Sequence, residues 1–245
     1  EWSPKVSNAI GYVPVYGDYT LTQVTCDAFL IKKRVTKHNA WINAFSGHRA
    51  SGSVFLGDKS CGIVLGIRTF WQSYPAALSV ENGGEDSTQL TAWLWAPDAD
   101  SMQMEPYQTP INQGDYPAQR RALDITYEDY EPGFSSSYGV GRTSELVIEF
   151  TDHTPDNASL AAIAQRISSP PQLRQSLSDL FTSRATHAFW SPEQPENVNS
   201  KLDHALNTLF IFYRNQIEQR RWYGFWDYGD IMHTYDADRH TWRYD

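Results

Sequence analysis

Ser144–Ile167 reads SELVIEFTDHTPDNASLAAIAQRI, and the hydrophobic period changes inside it. Up to Phe150, the run Leu146-Val147-Ile148-Glu149-Phe150 has the apolar, β-branched character of a strand. After Pro155, Leu160, Ile163, Ala164 and Ile167 fall at the spacing of one helix face. The chain therefore divides near residue 152, with β structure expected over 1–152 and helices over 153–245.

Upstream, Tyr19-Thr20-Leu21-Thr22-Gln23-Val24 alternates polar and apolar. Ser53–Leu56, the turn Gly57-Asp58-Lys59-Ser60, and Cys61–Ile67 predict a hairpin. Pro75 and the Glu81–Glu85 turn set that hairpin off from Thr88–Trp95, and Ser144–Phe150 closes the series. Short strands punctuated by Gly, Asn and Pro argue an antiparallel sandwich. Residues 98–142, rich in Pro, Gly, Ser and Tyr, read as irregular connections. Downstream, Leu173, Leu177, Leu180 and Phe181 predict a second helix, with Ser169-Pro170 as its start. Leu202, Ala205, Leu206, Leu209, Phe210, Tyr213 and Ile217 form the longest apolar stripe, after Asn199-Ser200. That stripe needs partners that three helices do not supply, so a fragment of a longer chain, with an incomplete site, is expected.

With 245 residues, 40% hydrophobic and 20% charged, the chain is long enough for a substantial core. No apolar run approaches a membrane span. The net charge of −9 opposes a polyanionic partner such as nucleic acid. Cys26 and Cys61 can pair or remain thiols. The chain opens at Glu1 without a Met, as a processed or trimmed chain does, and Asn157-Ala158-Ser159 is a glycosylation sequon. Secretion is the expected localisation.

The segment Trp222–Asp245 concentrates the chemistry: eight of its residues are aromatic, against 14% for the chain. Among them stand Asp227, Asp230, Asp236, Asp238, Arg239, Arg243, His233 and His240. Aromatic faces beside fixed charges suit a sugar, with Trp226, Tyr228 and Trp242 as stacking platforms; an aromatic core with charged loops is the structural alternative. His233 and His240 can act as base or acid, since imidazole titrates near neutrality, or can simply pair with carboxylates. Arg239 and Arg243 can clamp a carboxylate through the guanidinium fork, or pair with Asp236 and Asp245. Asp227 and Asp230 would face alike only on a helix, which Gly224 and Gly229 disfavour. Asp236-Ala237-Asp238 lacks the later ligands of a calcium loop. A second cluster, Gly47-His48-Arg49 with Arg68-Thr69-Phe70-Trp71-Gln72, can line a cleft shared with the helices. No paired-cysteine metal spacing, nucleophile elbow or phosphate-binding glycine loop occurs, so no cofactor is expected and no metal ligand is assigned, the part of a metal staying open.

Trp222–Asp230, continuing through Met232–Asp236 and Trp242–Asp245, resembles the exo-acting rhamnogalacturonan lyases, polysaccharide lyase family 26, and their bacterial relatives. Gly66–Pro75 and Trp93-Leu94-Trp95-Ala96-Pro97 carry the same resemblance. It implies β-sandwich domains and an (α/α) toroid of helical hairpins: here a sandwich over 1–152 and the start of a toroid over 153–245. It also implies β-elimination on a rhamnogalacturonan substrate, with His233 as base, Tyr235 or His240 as acid, and Arg239 and Arg243 as carboxylate clamps. Arg68 and Trp71 join Trp226, Tyr228 and Trp242 as substrate-binding candidates. The rivals are an inverting glycoside hydrolase using two carboxylates and a carbohydrate-binding module without catalysis.

Overall fold

The computed structural model describes residues 16–100, 141–184, 200–225, 234–238 and 240–243. Its first part is two antiparallel sheets. Strands β1 (Asp18–Thr25), β2 (Ala28–Arg34), β3 (Ile42–Gly47), β6 (Ala76–Glu81) and β7 (Gln89–Trp93) form one sheet in the order β3-β2-β1-β6-β7. Strands β4 (Ser53–Gly57), β5 (Gly62–Ile67) and β8 (Leu146–Thr151) form the other, in the order β4-β5-β8. The expected hairpin is β4–β5, with Ser53 opposite Gly66 and Gly57 opposite Gly62.

Leu21, Phe29, Ala76, Leu78, Leu90 and Ala92 of the large sheet pack with Val54, Leu65 and Ile67 of the small one, and Phe70 closes this core at 1% exposure. Full burial of a large side chain such as Leu78, Ile67 or Phe70 stabilises the fold by about 1.5–3 kcal/mol. The other face of the small sheet is covered by α1 (Asn157–Ser168), through Val64, Phe55 and Val147 against Leu160, Ile163 and Ile167. The period change at Pro155 thus marks where the chain stops pairing with the sheet and folds back across it. Asp156 caps α1 by accepting the Ser159 amide at 2.8 Å. Gly66 makes the close approach, since a Cβ there would stand 2.6 Å from Ile167 Cδ1.

Two expectations are corrected, and three strands go unmarked. The second helix does not start at Pro170; α2 spans only Leu177–Thr182, capped by Ser176. Pro171 is the reason, because a proline disfavours helical backbone in the residue before it. The alternation in β1 does not bury every apolar residue: Tyr19 and Val24 are exposed while Gln23 is fully buried, and the register with β2 shifts between Gln23 and Thr25. Strands β2, β3 and β6 were not marked by periodicity at all.

The helix α3 (Ser200–Arg220) carries the expected stripe, yet Leu202, Leu206, Leu209 and Phe210 are each more than half exposed. On β8, Leu146, Ile148 and Phe150 are likewise exposed. Both cysteines are free thiols, Cys26 buried and Cys61 exposed. Among the described residues, no helix is long and apolar enough to cross a membrane.

Candidate functional site

The three sequence runs that carry the resemblance meet at one end of the large sheet, where β1 passes to β2, β3 ends, β6 begins and β7 ends. The meeting starts at the C-terminus of α3. Arg221 adopts a left-handed φ of 59°, and the Trp222 amide donates to the Ile217 carbonyl at 3.1 Å, closing the helix in the manner of a Schellman cap. The chain then docks on the 68–75 loop as a short extended segment. The Gly224 amide donates to Gln72 O at 2.7 Å and the Phe225 amide to Tyr74 O at 2.8 Å. Gly224 has φ 115°, and a Cβ there would stand 3.0 Å from the Tyr74 ring, so only glycine fits. The third run joins through Ala96, whose amide donates to Pro75 O at 2.9 Å, and through Trp95, which meets Phe225 edge-on with centroids 5.3 Å apart.

Arg49 is the centre of the charge arrangement. Its Nε donates to Asp27 Oδ1 at 2.9 Å, Nη1 lies 2.6 Å from Glu218 Oε1, and Nη2 donates to Glu218 Oε2 at 3.0 Å. Its guanidinium also lies 4.0 Å from the centroid of the Trp71 ring, which meets Tyr223 at 4.8 Å. Arg221 Nε reaches the other oxygen of Asp27 at 2.7 Å, and the Tyr223 hydroxyl donates to Glu218 at 3.1 Å. The loop carrying Arg49 is held from beneath by Gln23, which donates to Thr25 O and His48 O and accepts from the Ala50 amide at 3.0 Å. Arg142 bridges the docked segment to the loop, donating to Gly224 O at 3.1 Å and Ser73 Oγ at 2.7 Å.

These contacts set the ionisation of the cluster. Hydrogen bonds from Arg49 hold the Glu218 carboxyl below its usual range, against partial burial. For Asp27, burial pushes upward, but the bond and charge of Arg49 with the charge of Arg221 prevail and lower it. Burial, then the Glu218 charge, push the Tyr223 phenol up to about 12. Burial and neighbouring Asp27 raise the Cys26 thiol. Glu218 and Asp27 are thus anionic acceptors at neutral pH and Tyr223 a neutral donor.

Of the sequence-predicted residues, Trp71 has one face covered by Arg49 and meets Tyr223 in a T-shaped contact, and Arg68 pairs with Glu145 at 2.6 Å. Beyond Phe225, β9 (Thr234–Asp236) and β10 (Thr241–Arg243) form a hairpin that sets Tyr235 opposite Trp242 and Thr234 opposite Arg243. His240 is exposed in its turn, with φ 51°. Trp226, Asp227, Tyr228, Asp230, His233 and Arg239 lie outside the described residues. Sequence reading missed Gln23, Asp27, Arg142 and Glu218. No motif marks them, because their roles come from pairings across up to 169 positions of sequence. Among the described residues, no group of three or more His, Cys, Asp or Glu could hold a metal ion. A cavity of about 490 Å³ lies at the opposite end of the large sheet, between the 35–38 and 82–85 turns, and none of the predicted residues line it.

Residues 1–165 match the PcRGLX-like protein central beta sandwich domain, and residues 170–245 the PcRGLX-like protein C-terminal alpha/alpha toroid domain. The chain belongs to the PcRGLX-like family. That family is rhamnogalacturonan lyase-like, and its domain pair accounts for two sheets followed by helices, here part of a toroid. The chain is also similar to the uncharacterized protein YetA of Bacillus subtilis (strain 168), 32% identical over 231 residues. The match covers 94% of this chain and 26% of that protein, so this PcRGLX-like chain spans about a quarter of its curated relative.

Proposed function

We propose that the chain is part of a secreted polysaccharide lyase of family 26, cleaving the rhamnosyl-(1,4)-galacturonate bond of rhamnogalacturonan by β-elimination. The observation that carries this reading is the convergence of the three family-like runs on one aromatic and cationic junction, from which the chain continues into Trp226–Asp245. A polymer too large to enter a cell supports action outside it.

In β-elimination a base removes the proton on C5 of the uronate, the bond from C4 to the leaving oxygen breaks, and an acid protonates that oxygen. A C4–C5 double bond conjugated with the carboxyl group remains. Neutralising the carboxylate makes the C5 proton more acidic, and Arg239 and Arg243 serve there. His233 is the base, with Tyr235 or His240 as acid. Trp226, Tyr228 and Trp242 stack on the sugar rings, and Arg68 and Trp71 line the approach. Since the C5 hydrogen and O4 of galacturonate lie on opposite ring faces, base and acid are separate residues.

The test is ultraviolet absorbance of the full-length protein incubated with rhamnogalacturonan. Absorbance from the conjugated product rises in the wild type, and in His233→Ala its rate falls by at least about 100-fold, the scale of a lost general base. New reducing ends without that absorbance would replace the lyase by a hydrolase.

A further inference from the structure

We infer that Arg49 is a positioning residue: with Glu218 and Asp27 it forms an ionic latch that fixes the chain leaving α3 against the sandwich, and so anchors the point from which the chain continues past Phe225. The latch is a closed circuit of alternating charge. Arg49 binds Asp27 and both oxygens of Glu218, Asp27 binds Arg221, and Arg221 Nη1 returns to the Glu218 carboxylate at 3.4 Å, while also donating to the Glu218 backbone carbonyl at 2.7 Å. Two arginines and two carboxylates leave no net charge in the circuit.

Isolated exposed ion pairs contribute little, about 0–1 kcal/mol, because two long side chains must be ordered for each one. Here the ordering is shared. Gln23 grips the backbone on both sides of Arg49, through His48 O and the Ala50 amide. The guanidinium plane is further set by the Trp71 ring, and Glu218 by the Tyr223 hydroxyl. A bidentate fork also fixes orientation as well as distance, which a lysine ammonium does not.

The position of these contacts gives the latch its consequence. Glu218 lies in the last turn of α3, and Arg221 and Tyr223 flank Trp222 as the chain leaves the helix. Two residues after Tyr223, the Phe225 amide is bonded to Tyr74 O. Four residues of backbone, 222–225, thus run from the latch to the point where the segment proposed to carry the chemistry begins. The docking rests on the contacts themselves; its effect on turnover rests on the lyase reading above.

The test uses the full-length protein with Arg49→Lys, Glu218→Gln and the double variant, and Arg166→Gln as a control that removes an ion pair to Glu149 outside the site. Hydrogen exchange is read at the Gly224 and Phe225 amides, and kcat and KM on rhamnogalacturonan oligosaccharides. Each single variant speeds exchange at both amides by about tenfold, as local opening costs less. The double variant goes no further than the stronger single, because the residues act as one unit. kcat falls about tenfold with KM within about twofold, while the control matches the wild type. Wild-type exchange in the variants, or additive effects in the double variant, would overturn the latch. Fast exchange with unchanged kcat would overturn the positioning role. Where the wild type makes no unsaturated product, the lyase reading fails, and exchange alone decides the latch. Glu218→Gln, which keeps the side-chain shape, decides it where Arg49→Lys does not fold.

Discussion

Gln23 is a polar side chain at 0% exposure in a strand that reads as alternating. It stays there because its polar atoms are partnered: its amide protons go to Thr25 O and to His48 O, and its oxygen accepts from the Ala50 amide. Removing the side chain's polarity leaves the buried Ala50 amide without its partner and takes the donor from two half-buried carbonyls. Gln23→Leu, close in volume, is therefore expected to destabilise the protein by about 1–3 kcal/mol, read as a lower midpoint in chemical denaturation. A loss under about 0.5 kcal/mol would show that water takes over these bonds. The same residue shows where sequence reading stops. Alternation names the residues of a strand's two faces, but it cannot show that a loop 25 positions away needs a donor and an acceptor. Arg49, Arg68 and Trp71 were legible as an aromatic and basic cluster, whereas the partners that orient Arg49 were not.

Among the elements, those legible in the sequence share a feature: each carries an apolar face regular enough to show its own period. The β4–β5 hairpin and α1 bury that face, whereas β8 and α3 leave it exposed. Strand β6 shows no such period, since all of Ala76–Val80 is buried and no polar face remains to create an alternation. Strand β2 hides differently, ending in three consecutive cations, Lys32-Lys33-Arg34, of which Lys32 pairs with Asp98 and Arg34 with Asp18. The junction of α3 with the 68–75 loop has a pH dependence that follows from its carboxylates. Glu218 and Asp27 both titrate lower in the folded protein than free carboxyls do. Their contribution is therefore present above the ordinary carboxylate range of about 4 and is lost as pH falls through the lower folded values. Near-ultraviolet circular dichroism of the Trp71–Tyr223 pair is expected to hold its neutral-pH form down to about pH 4 and to change only below it. A change centred above about pH 5 would assign the transition to other groups.

For the whole molecule, the sandwich and the helices differ in how much of their apolar surface is covered. The sheets close on each other and on α1, but α3 leaves Leu202, Leu206, Leu209 and Phe210 exposed, and Phe150 on β8 is 81% exposed. Contiguous apolar surface on this scale is unusual for a monomer in water and drives association. A net charge of −9 moderates that tendency without removing it, since repulsion between whole molecules is screened beyond about 10 Å at ordinary salt. In an (α/α) toroid, faces of this kind are buried between neighbouring helices. The 245-residue chain prepared alone is therefore expected to bind an apolar-surface dye and to sediment as larger species with rising concentration. Raising salt strengthens both effects, because screening removes the repulsion and leaves the apolar surface unchanged. Phe210→Lys together with Leu206→Lys places two cations in the stripe and lowers dye binding by about half or more. Equal dye binding in that double variant would move the dominant patch to the exposed edge of β8, which Phe150→Lys then tests directly.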